Sequence, residues 1–248
     1  MEKVHENAHL RLVTWNIHKG IGGLDRRYRL ERVVELLIHQ KPDFVLLQEV
    51  AEGMPSTRRH KQVELLSSAL GLPYFAYNKE HSFRIGGYGN AILSRFQLSD
   101  IAHVDLTIGW HKKRGAICAR AHVPHNGHVR SLVIFNLHLG LIGAERAEQL
   151  GRFFRCDAFS GLHLRTPIVI GGDMNDLWGS IGQRFLAPAG FKRAGKGFNT
   201  FPAILPARPL DAIFLRGDLR SVHYGTRRGA LARAASDHLP LIVDLEWV

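Results

Sequence analysis

The residues of this 248-residue chain that could do chemistry gather where apolar runs stop. Ile168-Val-Ile-Gly-Gly-Asp-Met-Asn-Asp176 shows the pattern most fully: a β-branched run, two glycines, then Asp173 and Asn175 two residues apart. The run reads as a buried strand. The glycines are expected to let the backbone turn sharply and a ligand come close. If the strand period persists, Asp173 and Asn175 point the same way. One offers a negative charge and a proton acceptor, the other an amide that can donate to an oxyanion. A phosphate ester attacked by water needs both, although an Asx turn at a strand end would read alike.

Five further places repeat the theme: Asn16 after the run from Leu10, Glu49 after Phe44-Val-Leu-Leu-Gln, His138 at the end of a run from Ser131, Asp211 at the start of a run to Leu215, and Asp237-His238 just before Leu241. Singly, each has a bland explanation: a turn cap, a solvated strand end, a hydrogen-bonded core histidine. Jointly they matter more, because strand ends collect where open sheets place their sites. Glu49 and Asp237 are hard oxygen ligands, and with Asn16 they suit Mg²⁺ or Mn²⁺. His238 beside a carboxylate such as Asp211 would be oriented and made more basic. Structural zinc is disfavoured by the lack of paired Cys/His spacing. The sequence also lacks a Gly-x-Ser-x-Gly elbow and a Walker-type phosphate loop.

These residues need elements to position them. Leu30 to Gln40 carries Leu30, Val33, Val34, Leu37 and Ile38 at helical spacing and stops before Pro42. Gln62 to Leu70 reads as a second helix, stopped by Gly71 and Pro73. The longest helical pattern runs from Ala144 to about Leu164. After Tyr74–Tyr77 a mobile stretch is expected up to Gly89, then a strand from Asn90. Two strands, 115–123 and 131–138, flank a Pro124–Gly127 turn as a hairpin. In such a hairpin the start of one strand lies beside the end of the other, which places Lys112-Lys113-Arg114 next to His138. A strand–helix–strand–hairpin rhythm recurs in both halves and predicts two stacked sheets with helices outside. Residues 1–9 are expected as a flexible tail, and 10–248 as a single catalytic domain.

Composition bounds the function. With 45% hydrophobic and 22% charged residues, global disorder is disfavoured. Lys plus Arg outnumber Asp plus Glu by 33 to 22, a formal charge of +11. Such a surface favours nucleic acid, anionic lipid or phosphorylated small molecules. Cys118 and Cys156 are too few for a disulfide framework. The polar N-terminus is not expected to be a signal peptide, and no apolar run approaches the ~20 residues of a membrane span. A cytoplasmic protein is expected, with a monomer assumed.

Thr-Trp-Asn16-Ile, Leu-Gln-Glu49-Val, Asn-Leu-His138-Leu, Gly-Gly-Asp173-Met-Asn175, Leu-Asp211-Ala-Ile and Ser-Asp237-His238-Leu-Pro, in this order, resemble the endonuclease/exonuclease/phosphatase superfamily, which includes deoxyribonuclease I. The resemblance runs from about Leu10 to Glu246 and is strongest to small bacterial members. It implies a four-layer α/β/β/α sandwich of two mainly antiparallel sheets, and a Mg²⁺-dependent phosphodiesterase or phosphatase. Carried over by motif, Glu49, Asn16 and Asp237 hold the metal. Asp173 positions or deprotonates the attacking water, Asn175 and His138 hold the phosphate, and Asp211 orients His238. In deoxyribonuclease I a glutamate from an earlier strand partners the histidine that matches His138. Here Tyr88-Gly-Asn-Ala-Ile offers Asn90 in that place. Asn90 is therefore expected among the substrate-binding residues, as is Arg114 from its place beside His138. A nuclease acting on phosphodiester bonds is the leading expectation. A lipid or inositol-phosphate phosphoesterase is the alternative, and a non-catalytic binding module is disfavoured because every main motif position is filled.

Overall fold

The computed structural model describes residues 9–248. The tail expected over residues 1–9 thus lies, but for His9, outside the described residues. In chain order the strands are β1 (Leu10–Asn16), β2 (Phe44–Glu52), β3 (Tyr74–Ser82), β4 (Gly87–Ser94), β5 (Leu98–Asp105), β6 (Gly115–His125), β7 (His128–His138), β8 (Ile168–Asp173), β9 (Lys192–Arg193), β10 (Asp211–Arg216), β11 (Leu219–Thr226) and β12 (Leu241–Trp247). The helices are α1 (Leu30–Gln40), α2 (Gln62–Leu70), α3 (Gly143–Arg155), α4 (Asp157–Ser160) and α5 (Ala230–Ala235).

The strands form two sheets, ordered β11-β12-β1-β2-β4-β3 and β5-β6-β7-β8-β10-β9. In each, one pair near the middle is parallel, β1 with β2 and β7 with β8, and the other pairs are antiparallel. This is the structural form of the rhythm read in the two halves of the sequence. Strand periodicity builds the layers. Along β2, Phe44 and Leu46 enter the core between the sheets, where they meet Ile117, Ile134 and Val169. Val45 and Leu47 point the other way, against Val33 and Leu37 of α1 and Leu66 of α2. On the far side, Leu150 and Phe153 of α3 and Phe159 of α4 cover Phe135 and Ile170. The result is a four-layer α/β/β/α sandwich. No helix among the described residues is long and apolar enough to cross a membrane.

Several local expectations are corrected. The stretch read as mobile before Gly89 is the β3–β4 hairpin. The long helix breaks at Cys156, which is extended, and the reversal lets Phe159 join an aromatic cluster 5.1 Å from Phe153 and 6.0 Å from Phe135, centroid to centroid. The β6–β7 turn is tighter than Pro124–Gly127: Asn126 and Gly127 both have positive φ, as a two-residue hairpin turn requires. The chain does not turn at Gly171-Gly172, which are both within β8. A Cβ on Gly171 would stand 2.7 Å from Leu46 in the facing sheet, and one on Gly172, at φ 146°, 1.9 Å from the Leu137 carbonyl oxygen. These glycines let backbones approach each other.

Candidate active site

Strand register assembles the site. In the second sheet Gly115 pairs with His138, His138 with Asp173, and Asp173 with Asp211, a row across four strands. In the first sheet Asn16 ends β1 beside Gln48 of β2. The turn before β12 brings Asp237-His238 to the same edge, because Leu241 pairs with Thr14. The two sheets are tied together beneath this edge by buried amides: Gln48 donates to Asn136 Oδ1 (2.7 Å), and Asn136 donates to the carbonyls of Leu47 and Ala91 (2.8 Å each).

A cleft of about 420 Å³ opens there. Asn16, Glu49 and Asp237, the expected metal ligands, line it. So do Asp173, Asn175, His138 and His238, with the cation Arg114. Asp211 is fully buried behind His238. Asn90 is not brought to the cleft. It is buried beneath it, donating to Glu80 Oε1 (2.6 Å) and more weakly to the Gly115 carbonyl (3.4 Å), so its expected contact with substrate is not supported. An acid does occupy this region, Glu80 of β3, and it accepts from Asn90.

Asp173 is the hub. Its Oδ2 accepts from Asn16 Nδ2 (3.1 Å) and lies 3.7 Å from Nε2 of both His138 and His238. Its Oδ1 accepts from the backbone N–H of Asn175 (3.0 Å), whose φ of 47° shows that the strand conformation has ended. Asn175 therefore does not continue the strand alternation, and its amide donates to the Leu139 carbonyl (2.8 Å). Burial lifts the Asp173 carboxyl to about 6, a rise that His238 opposes.

His238 Nδ1 lies 2.9 Å from Asp211 Oδ2, which also accepts from Thr200 Oγ1. Burial works against an imidazolium here, but the carboxylates of Asp211 and Asp173 outweigh it and lift His238 to about 10. His138 goes the other way: burial, reinforced by the charge of Arg114, holds it well below the usual histidine range and neutral. Trp15 Nε1 fixes the backbone of His238 through its carbonyl (2.8 Å).

Glu49 enters the cleft through strain. The β2–β4 register shifts between Leu47 and Val50, and Glu49 in this bulge has φ 54°. Bulges re-aim side chains, and a non-glycine residue in this conformation is held by its surroundings. Burial opposes its ionisation, but the positive charge and hydrogen bond of Lys19 prevail and hold it down at about 2. Lys19 forms an ion pair with it. Two carboxylates and an amide oxygen form a hard-oxygen donor set, which fits a divalent cation of the Mg²⁺ type. Asp173, Asp211 and His238 also have ligand atoms within 4.8 Å of one another.

Several site residues were not assigned by sequence. His18 and Lys19 were visible only as members of a glycine-rich loop. Phe201, whose ring centroid lies 5.0 Å from that of His238, and Arg208, which lines the cleft, come from a Gly/Pro-rich region with no pattern to mark them. Gln48 and Asn136 sit inside recognised motifs, but their pairing depends on the facing of two sheets.

Fold and edge together define a deoxyribonuclease I-like α/β sandwich. Residues 13–238 match the Endonuclease/Exonuclease/phosphatase family. The chain belongs to this family, whose members are generally hydrolytic on phosphate esters. It is 28% identical over 250 residues to the uncharacterized protein YbhP of Escherichia coli K12 and to that of Shigella flexneri, with 95% of each chain covered. Among solved structures it resembles an endonuclease/exonuclease/phosphatase from Beutenbergia cavernae (TM-score 0.80, 21% identity, 97% of this chain and 72% of that one). It also resembles the human Nocturnin catalytic domain with bound sulfate (0.73, 20%, 97% and 95%). A third is D. rerio TDP2 with a single-strand DNA product (0.70, 18%, 97% and 100%). At such identities these likenesses concern the fold.

Proposed function

We propose that residues 10–248 act as one catalytic domain, a divalent-metal-dependent phosphodiesterase that cleaves by attack of water. The observation that carries this is the placement of Asp173: a buried carboxylate raised to about 6, held by Asn16 and the Asn175 N–H, with two histidines 3.7 Å away. A general base works best with a pKa near the working pH. Asp173 takes the proton of the attacking water. His238, kept cationic by Asp211, stabilises the charge that builds on phosphate oxygens. His138, neutral, donates a hydrogen bond to the phosphate, as does the second amide hydrogen of Asn175. Arg114 is only 4% exposed, and its Nε and Nη1 have no partner among the described residues. A guanidinium so placed suits a phosphate.

Glu49, Asn16 and Asp237 would hold the metal, which supplies positive charge to the phosphate. The Asp173–Asp211–His238 cluster is the weaker metal site, because the proton favoured on His238 competes with ligation.

Nucleic acid as substrate is supported by the excess of cations and by the DNA product held by TDP2. An anionic lipid surface would satisfy the same charge. Hydrolysis of bis(p-nitrophenyl) phosphate tests the phosphodiesterase reading without choosing between them. Wild type should turn it over with Mg²⁺ and stop in excess chelator. Glu49→Gln should lose most activity and bind Mg²⁺ more weakly by calorimetry while keeping its circular dichroism. Full activity in chelator, or unchanged Mg²⁺ affinity in the variant, would refute the metal assignment.

A further inference from the structure

Four loops border the cleft, and each carries a residue that lines it: Arg114 in 106–114, Leu141 in 139–142, Leu177 in 174–181 and Arg208 in 201–208. Each also lifts a large apolar side chain into solvent within a few residues of that point. Trp110 is 96% exposed, Ile142 55%, Trp178 78% and Leu205 76%. The loops also neighbour one another in two pairs. His111, which stacks beside Trp110, lies 3.6 Å from Glu145 at the start of α3, just after Ile142. The Arg208 guanidinium stands 5.5 Å from the ring centre of Trp178.

Scattered exposed apolar residues need no explanation, but a set that rims a catalytic cleft marks an interaction surface. Its chemistry indicates the partner. Cations lie on the same loops: Lys112 and Lys113 beside Trp110, and Arg208 against Trp178. A single-stranded nucleic acid would be met by flat rings on which bases stack. Half of this rim is aliphatic, and Leu141, Ile142, Ile204 and Leu205 offer nothing to stack on. Aliphatic tips mixed with tryptophan and lysine suit the boundary between lipid headgroups and acyl chains, where tryptophan is also favoured. The surplus of positive charge suits an anionic leaflet.

We infer that these four loops dock the protein on the surface of an anionic phospholipid bilayer, so that the cleft faces headgroup phosphodiesters. The substrate this implies rests on the phosphodiesterase reading above, whereas the docking does not depend on turnover.

The test separates the two. Wild type is sedimented with phosphatidylglycerol/phosphatidylcholine vesicles and with pure phosphatidylcholine vesicles, and its tryptophan emission is followed. Binding should require phosphatidylglycerol and should shift the emission to the blue as Trp110 and Trp178 leave water. A Trp110→Ser/Ile142→Ser/Leu205→Ser protein, altered at three positions that do not line the cleft, should partition about tenfold or more less strongly. It should hydrolyse bis(p-nitrophenyl) phosphate at the wild-type rate. Equal sedimentation of variant and wild type, or none with phosphatidylglycerol, would overturn the docking surface. So would a single-stranded oligonucleotide that quenches the rim tryptophans while vesicles leave them unchanged, which would assign the loops to nucleic acid. Failure of the soluble diester assay in both proteins would remove the catalytic reading and leave the docking result standing.

Discussion

At the level of single residues, the site is a set of carboxyls and imidazoles whose surroundings drive them apart. His238 sits between two carboxylates and stays charged, His138 sits near Arg114 and stays neutral, and Asp173 is raised by burial while Glu49 is held down beside Lys19. Groups separated in this way can divide acid, base and electrostatic work. Asp173→Asn keeps the size of the side chain and removes the proton acceptor. The maximal rate on a soluble diester should fall by about 10²–10⁴-fold with little change in KM, since the proposed loss belongs to the chemical step. Steady-state kinetics decide it: a rise confined to KM would make Asp173 a binding residue and leave the base unassigned.

At the level of elements, burial decided what the sequence could show. Helices α1 and α2 were legible to the residue, because apolar spacing is closed by Lys41-Pro42 in one and by Gly71 in the other. The central strands β1, β2, β7 and β8 were legible as apolar runs, since both faces are covered. Their ends gave the site for the same reason: a polar residue stands out after such a run. Strands β5 and β11 were missed. They are sheet edges, largely open to solvent: in Leu98-Ser-Asp-Ile-Ala-His-Val-Asp105 no residue is fully buried, and Ala102 and Val104, which do pack on the core, are only half-buried and alternate over too short a stretch to mark a strand. Strand β3 is also an edge, and it hides a buried acid. Burial, opposed by Arg114, pushes Glu80 up to about 8, where Asn90 donates to it. The folded state therefore keeps a proton that the unfolded chain releases above its ordinary carboxyl range. The resulting stability is complete below about pH 4.5 and is lost as pH rises towards 8, because folded protein then binds more protons than unfolded. Glu80→Gln keeps an acceptor for Asn90 without an ionisable group. Thermal unfolding across pH 4–9 should show wild type losing roughly 10 °C relative to the variant between these limits. Parallel curves would mean that Glu80 is ionised in the folded protein.

For the whole molecule, the proposed catalysis and docking assign the excess of positive charge to two tasks, and one tripeptide divides them. Lys112-Lys113-Arg114 was expected at the mouth of the site, and the pairing of Gly115 with His138 does bring it there. The three side chains then part. Arg114 is buried and lines the cleft, Lys112 is exposed and also lines it, and Lys113 is exposed and does not line it, bordering instead a smaller polar cavity that Arg114 shares. Docking and substrate binding should therefore respond differently to single replacements. Lys113→Ala removes a charge from the rim alone. It should weaken partition onto phosphatidylglycerol vesicles by about fivefold, the worth of one surface lysine near an anionic leaflet, and leave soluble-diester kinetics unchanged. Arg114→Ala should do the reverse, raising KM for the soluble diester by about tenfold or more through loss of a charge-assisted phosphate contact, with vesicle partition near wild type. Lys112→Ala should show both effects. Salt adds a second axis: partition by exposed lysines is screened over about 10 Å at 0.1 M salt, whereas a buried guanidinium in a cleft is screened much less. Vesicle binding should thus fall steeply from low to moderate salt in wild type and less steeply in Lys113→Ala, while KM for the soluble diester moves little in either. If all three replacements shifted both measurements together, the tripeptide would act as one diffuse basic patch, and its division between cleft and rim would be wrong.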